Sequence, residues 1–313
     1  MLKPKHSALL TFFALTFLLA FAPANASASM LVSNRTPRQG DTIEVVLPSK
    51  ALVQESGGSS DSQLEPTGEP PYVTFNGHQY RAFLVLRESQ DRVTGGAADP
   101  GVEKSLGQYK ALFAVPADLD PGKYSLKAGS ETVSLTVRAG LFPLQHIHLA
   151  PSKDNFNTAP GEEEAVERAK STLSAERYWR EPFTAPSHAR TSTGFGLKRM
   201  VNGRLLKDYF HSGLDYAGAL GSPILATSSG KVVLVGRGFK LHGNTVAIDH
   251  GQGVISFYIH MKTIKVVEGE EVKCGQQIGS VGQTGRATGP HLHFSIYVNK
   301  VAANPSNWFT TTF

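Results

Sequence analysis

The chain has 313 residues, enough for two domains, and its apolar content is ordinary for a packed core. Its formal charge is +5, which suits an anionic partner or simple solubility, but the Lys and Arg residues are scattered and form no block of the kind that tracks nucleic acid. The single cysteine, Cys274, excludes an internal disulfide, so any core must hold without one.

Residues 1–28 have the three parts of a secretory signal peptide: Lys3, Lys5 and His6, then an apolar stretch from about Ala8 to Ala22, then the small residues Ala24, Ala26 and Ala28. The stretch is short for a membrane span, which needs about 20 apolar residues. Export is expected, with cleavage before Ser27 or Ser29 and no stable membrane span afterwards. No cysteine follows the apolar run, so no lipid attachment is expected.

Residues 29–138 read as a β-sandwich. TIEVVLPS, YVTFNGHQY, RAFLVLRE, YKALFAVP, KYSLKAG and TVSLTVRAG are short alternating runs separated by Gly, Pro and Asp turns. GGSSDSQLEPTGEPP (57–71) reads as a loop. Residues 139–182 form a linker. Pro143, Pro151 and Pro160 interrupt it, and PGEEEAVERAKSTLSAERYW then reads as one helix. Pro160 can open that helix, and Glu162, Glu163 and Glu164 suit its positive end as a solvated face. Residues 183–313 return to strands: KVVLVGRG, NTVAIDHG, GVISFYIHMK and HLHFSIYV, with frequent glycines. Without βαβ alternation, this domain is expected to be antiparallel β. Cys274, between a strand pattern and a Gly turn, reads as a small buried filler.

Four histidines and one carboxylate carry chemical promise. His211 and Asp215 are spaced H-x-x-x-D on a loop that runs into a strand, and His with Asp is a common zinc pair. His291 and His293 sit two apart at the start of a strand, where they share a face, while Leu292 and Phe294 point to the core. His260 ends the alternating strand GVISFYIH, on the face of Tyr258. His146 and His148 have the same H-x-H spacing but lie in the linker with no acidic partner, and read as structural or surface residues. A catalytic zinc keeps three protein ligands and one open position. His211, Asp215, His291 and His293 would make four, so one must stay off the metal and be free to move protons. The count does not say which.

The segments GFG, FHSGLDYAGALGSPILATSSGKVV, GNTVAIDHGQG, YIHM, VEGEEVKCGQQIGSVGQTG and TGPHLHF span about Thr193 to Pro305. Together they resemble the lysostaphin/LytM-type zinc endopeptidases of bacterial cell walls. The resemblance implies one Zn2+ held by His211, Asp215 and His293. It leaves His291 and His260 unbound and catalytic. His291 is then the proton carrier, and His260, with Tyr258, the oxyanion stabiliser. Relatives that lost these positions act as noncatalytic activators, and here all five are filled. Many relatives have Glu after HLHF where this chain has Ser295, a position expected to point away from the site. YKALFAVPADLDPGKYSL is similar to the immunoglobulin-like domain that precedes some of these peptidases.

The expected architecture is therefore mainly β: an immunoglobulin-like sandwich and an antiparallel β peptidase domain joined by a linker with one helix. The expected function is hydrolysis of peptide cross-links in peptidoglycan, as a D,D-endopeptidase, in the periplasm or secreted. The partners are peptidoglycan stem peptides, and nucleic acid is not one. A noncatalytic wall-binding activator of an amidase, and a zinc peptidase acting on exported proteins, are the alternatives. GRGFKLHGN is expected to border an open groove.

Overall fold

A computed structural model of the chain describes residues 29–47, 70–85, 108–151, 154–207 and 209–313. The expected signal peptide and residues 57–69 of the expected loop lie outside them. Among the described residues no helix is long and apolar enough to cross a membrane. The architecture is mainly antiparallel β.

The N-terminal strands are β1 (Leu31–Val32), β2 (Thr42–Leu47), β3 (Tyr72–Phe75), β4 (His78–Arg81), β5 (Phe83–Val85), β6 (Gln108–Ala114), β7 (Gly122–Ala128) and β8 (Glu131–Val137). They form two four-stranded sheets, ordered β1-β2-β6-β5 and β4-β3-β7-β8. The sheets face each other across Ile43, Val45, Val73, Phe75, Phe113 and Leu126, all fully buried. Phe75 stacks on Phe113 at 4.7 Å between ring centroids, which ties the two sheets. β6 shows the two-residue period of a strand directly. Ala111 and Phe113 enter this core, whereas Leu112 and Ala114 point out and join the core of the C-terminal domain.

Residues 139–182, the expected linker, contain β9 (Leu144–Ile147) and helix α1 (Glu162–Lys170). The helix is shorter than the expected 160–179. It ends at Ser171, whose amide and hydroxyl both donate to the Glu167 carbonyl. The chain beyond then runs extended over the C-terminal sheet, with Gln252 donating its amide to Ser174 O and Tyr178 to His250 O. The acidic run is not uniformly solvated as expected. Glu163 and Glu164 are exposed, but Glu162 is fully buried, because α1 lies on the sheet with that edge inward.

The C-terminal domain has β10 (Thr191–Thr193), β11 (Lys198–Val201), β12 (Arg204–Leu205), β13 (Leu214–Tyr216), β14 (Pro223–Leu225), β15 (Gly230–Gly236), β16 (Asn244–Gly251), β17 (Val254–Ile264), β18 (Glu271–Val272), β19 (Gln277–Val281), β20 (Leu292–Val298), β21 (Val301–Ala303) and the short helix α2 (Pro305–Trp308). The main path is β10-β13-β20-β17-β16-β15-β18, and β9 adds in parallel to β11 in a separate small sheet. One face of the main sheet carries Val246, Ile248, Tyr258, Phe294 and Ile296, packed with Trp179, Trp308 and the N-terminal Leu112 and Ala114. Trp308 Nε1 also donates to Thr42 Oγ1 at 3.1 Å, so a buried hydrogen bond joins the N-terminal sheets to this region alongside the apolar packing. On the opposite face, Ile255, Phe257 and Ile259 meet Val166 and Ala169 of α1. The helix covers part of that face and leaves the rest as a groove. Cys274 is exposed in a turn, not buried as expected, with its thiol 3.4 Å from Thr184 Oγ1.

Candidate active site

Three adjacent strands place the first side chains. β20 pairs with β13 so that His293 lies opposite Asp215, and with β17 so that His293 lies opposite Ile259. Residues opposite one another share a face, so Asp215 and His293 both project into the groove. His211 reaches them from the loop before β13. That loop passes close under β20, where any side chain at Gly213 would collide with the Phe294 carbonyl and the Ser295 hydroxyl.

His211 Nε2, Asp215 Oδ1 and His293 Nδ1 meet at one point. His211 Nε2 is 3.0 Å from Asp215 Oδ1 and 3.0 Å from His293 Nδ1, and the remaining edge is 2.9 Å. The far nitrogens are occupied. His211 Nδ1 lies 2.7 Å from Gly194 O, which can only accept, so that nitrogen carries the proton. His293 Nε2 lies 2.7 Å from Ser295 Oγ, which can take its proton likewise. With both rings neutral, three lone-pair atoms face each other, an arrangement that a cation resolves. Zinc bonds of about 2.0–2.1 Å in a tetrahedron would set such atoms roughly 3.3 Å apart, so the donor set fits. These residues form the one candidate metal group among the described residues. Burial pushes the His293 imidazole down to about 4, which keeps it neutral. Burial pushes the Asp215 carboxyl up, but the His211 and His293 imidazoles beside it outweigh that and hold the group well below the usual range.

His291 and His260 line the same groove, with ring centroids 4.8 Å apart. His291 Nδ1 lies 2.8 Å from Gly289 O and so holds the proton, leaving Nε2 bare at 3.9 Å from Asp215 Oδ1. His260 Nδ1 lies 2.9 Å from Thr284 O, which again leaves Nε2 as an acceptor. Burial first, and then His291 and His293, hold His260 well below the usual imidazole value. As a neutral ring with its one N–H on the Thr284 carbonyl, His260 has no donor to offer an oxyanion in the groove. It would first need a proton on Nε2.

Tyr258 does not share this site, contrary to the expectation from strand alternation. His260 has φ +65°, a left-handed conformation, and the pairing of β17 with β19 shifts register just beyond it. The bulge turns His260 back to the face of Ile259. Tyr258 stays on the other face, fully buried, accepting from Thr227 N at 2.8 Å.

Ser295 also departs from its expected direction. Two residues after His293 on one strand it shares the same face, and its hydroxyl bonds His293 directly. The strand period alone carries that signal. Arg199 is a residue that motif reading missed. Its guanidinium lies 3.4 Å from Asp215 Oδ2, donates to Tyr209 Oη at 2.9 Å and to Gln145 Oε1 of β9 at 3.1 Å. The groove, about 370 Å³, is lined by these groups, by His242 and by Gln145, Ile147 and Phe156 of the linker. His146 and His148 are exposed instead.

Residues 209–305 match the model of Peptidase family M23. The peptidoglycan DD-endopeptidase ShyB of Vibrio cholerae is 40% identical over 114 residues, which are 36% of this chain and 26% of that protein. The murein hydrolase activator NlpD of Salmonella dublin is 34% identical over 130 residues, 39% of this chain and 34% of that protein. The chain thus spans only about a quarter to a third of these relatives. A crystal structure of a putative peptidase M23 from Pseudomonas aeruginosa, 24% identical, aligns over 90% of this chain and 97% of its own with a TM-score of 0.55, a likeness of fold. The match to Peptidase family M23 thus covers the segment that carries His211, Asp215, His260, His291 and His293.

Proposed function

We propose that the protein is a zinc-dependent endopeptidase that hydrolyses peptide cross-links of peptidoglycan, as a D,D-endopeptidase working outside the cytoplasmic membrane. The observation that carries this is the convergence of His211, Asp215 and His293 on one point, with two further imidazoles beside it in one groove. Similarity to ShyB, a peptidoglycan DD-endopeptidase, supports the choice of substrate. In this reading, residues 183–313 are the peptidase domain, residues 139–182 the linker, and residues 29–138 an immunoglobulin-like domain.

His211, Asp215 and His293 would hold the zinc. When bound, it supplies Lewis-acid polarisation of a carbonyl and lowers the pKa of a water molecule. His291 takes the water proton on its bare Nε2 and passes it to the leaving amine, because the Gly289 carbonyl fixes its tautomer. His260, beside His291 in the groove, would support the developing oxyanion only in a form that carries a proton on Nε2, taken up from solvent as substrate binds. Asp215 would serve the metal as a carboxylate through Oδ1, and the Arg199 guanidinium, 3.4 Å from Oδ2, balances its second oxygen.

The test is digestion of purified sacculi by the full chain, with and without a chelator, with products identified by mass spectrometry. Soluble muropeptides cut between D-Ala and the diamino acid, and lost with chelator, are the expected result. The NlpD match favours a second reading, an activator of another wall hydrolase. That reading requires zinc-loaded protein that releases nothing alone but raises the activity of an added amidase.

A further inference from the structure

Glu162 is a carboxylate with no accessible side-chain surface, at the start of a linker helix that no motif connects to the site. Its two oxygens accept from the backbone amides of Ala159 at 2.8 Å, Lys240 at 2.7 Å, Leu241 at 3.1 Å and His242 at 2.9 Å. Glu162 Oε1 also lies 2.7 Å from His242 Nδ1. Burial pushes this carboxyl up, but the hydrogen bonds outweigh it and keep it ionised. An ionised carboxylate can only accept, so His242 Nδ1 carries the proton. Burial lowers the His242 pKa despite the nearby carboxylate, so the ring stays neutral. Its Nε2 is therefore a bare acceptor with no hydrogen-bond partner among the described residues, on a side chain that lines the groove beside His260 and His291.

The same loop is tied to the site on its other side. His242 O accepts the amide of His260 at 3.0 Å, and Leu241 O accepts the amide of Arg286 at 3.0 Å. A buried charge that organises three consecutive amides and one imidazole is costly to place unless all its bonds are made, and here they are. Packing alone would need no carboxylate at this point.

We propose that His242 is a substrate-contacting residue of the groove, accepting an amide or amino N–H of the bound peptide through Nε2, with Glu162 as its positioning residue. The linker helix is then part of the active site. This inference rests on the endopeptidase reading above. It is tested with the full-length chain, a soluble cross-linked muropeptide dimer, steady-state kinetics and zinc content by atomic absorption. His242→Ala is expected to raise KM about tenfold, the loss of roughly one neutral hydrogen bond, with kcat within about twofold and zinc unchanged. His242→Gln, whose amide oxygen can stand in for Nε2, is expected to recover most of that loss. Glu162→Gln is expected to raise KM in the same direction, and the double variant E162Q/H242A to be no worse than H242A. An unchanged KM in a folded, zinc-bound His242→Ala protein, or a loss confined to kcat, overturns the proposal while leaving the endopeptidase reading intact. A wild-type protein that binds zinc but cuts no cross-link overturns both.

Discussion

The two faces of strand β20 differ in what they ask of the chain. Leu292, Phe294, Ile296 and Val298 are completely buried against tryptophans, phenylalanines and the N-terminal sandwich. His293, Ser295 and Tyr297 lie on the other face, where His293 meets Asp215 at 2.9 Å and Ser295 at 2.7 Å and Tyr297 borders the groove. The first face tolerates repacking if volume is kept, because apolar contact is non-directional. The second depends on directed lone pairs, so removing one atom changes chemistry more than stability. The comparison predicts that the two faces fail in different observables.

The largest expected effect is on the polar side. His291→Ala should lower kcat on a muropeptide dimer by about 10²–10⁴-fold, the usual range for a general acid–base group, with zinc content and thermal midpoint nearly unchanged. Loss of zinc in that variant would instead make His291 a ligand. On the apolar side, Phe294→Ala should cost about 3–5 kcal/mol in urea unfolding, since the ring packs between Tyr258 and Phe309. Zinc bound per folded molecule should stay the same.

The next effect is set by pH. His250 is fully buried, with Nδ1 2.7 Å from Ser229 O and Nε2 2.8 Å from Ser256 Oγ, and burial pushes it down to about 4. The unfolded ring binds its proton near 6.5, so the unfolded state holds more protons between these values and the folded state is favoured as pH rises. Stability should fall by about 3 kcal/mol as pH drops from 6.5 to 4, read by urea unfolding, and the fall should shrink in His250→Gln. Smallest is Ser295→Ala, which should weaken zinc binding about 10–100-fold by chelator competition without unfolding the sheet. Equal zinc affinity in that variant would make the Ser295 contact incidental.

Much of this was legible in order along the chain. Alternation located the longer strands, such as β2, β6, β15, β16, β17 and β20, and the spacings H-x-x-x-D and H-x-H singled out Asp215, His291 and His293, which line one groove, and His211, which meets Asp215 and His293 from beneath it. Alternation failed where one backbone conformation broke it. At His260 a left-handed φ separates Tyr258 from the site, and no residue type at that position announces it. Ser295 was misread for the opposite reason, since the strand period did apply to it. Glu162 sat in an acidic run that looked like a solvated face, and only the docking of α1 on the sheet makes one of three glutamates a buried partner.

The sequence by itself determined which side chains can bind, donate and pack, and along each strand which of them share a face. Those are local properties of side-chain chemistry and the two-residue strand period. The tertiary structure decided which nitrogen of each histidine faces the groove, because each tautomer is set by a carbonyl, carboxylate or hydroxyl from a distant part of the chain. It also decided that the linker helix reaches the site, since a contact between Glu162 and His242 exists only once the helix has packed on the sheet.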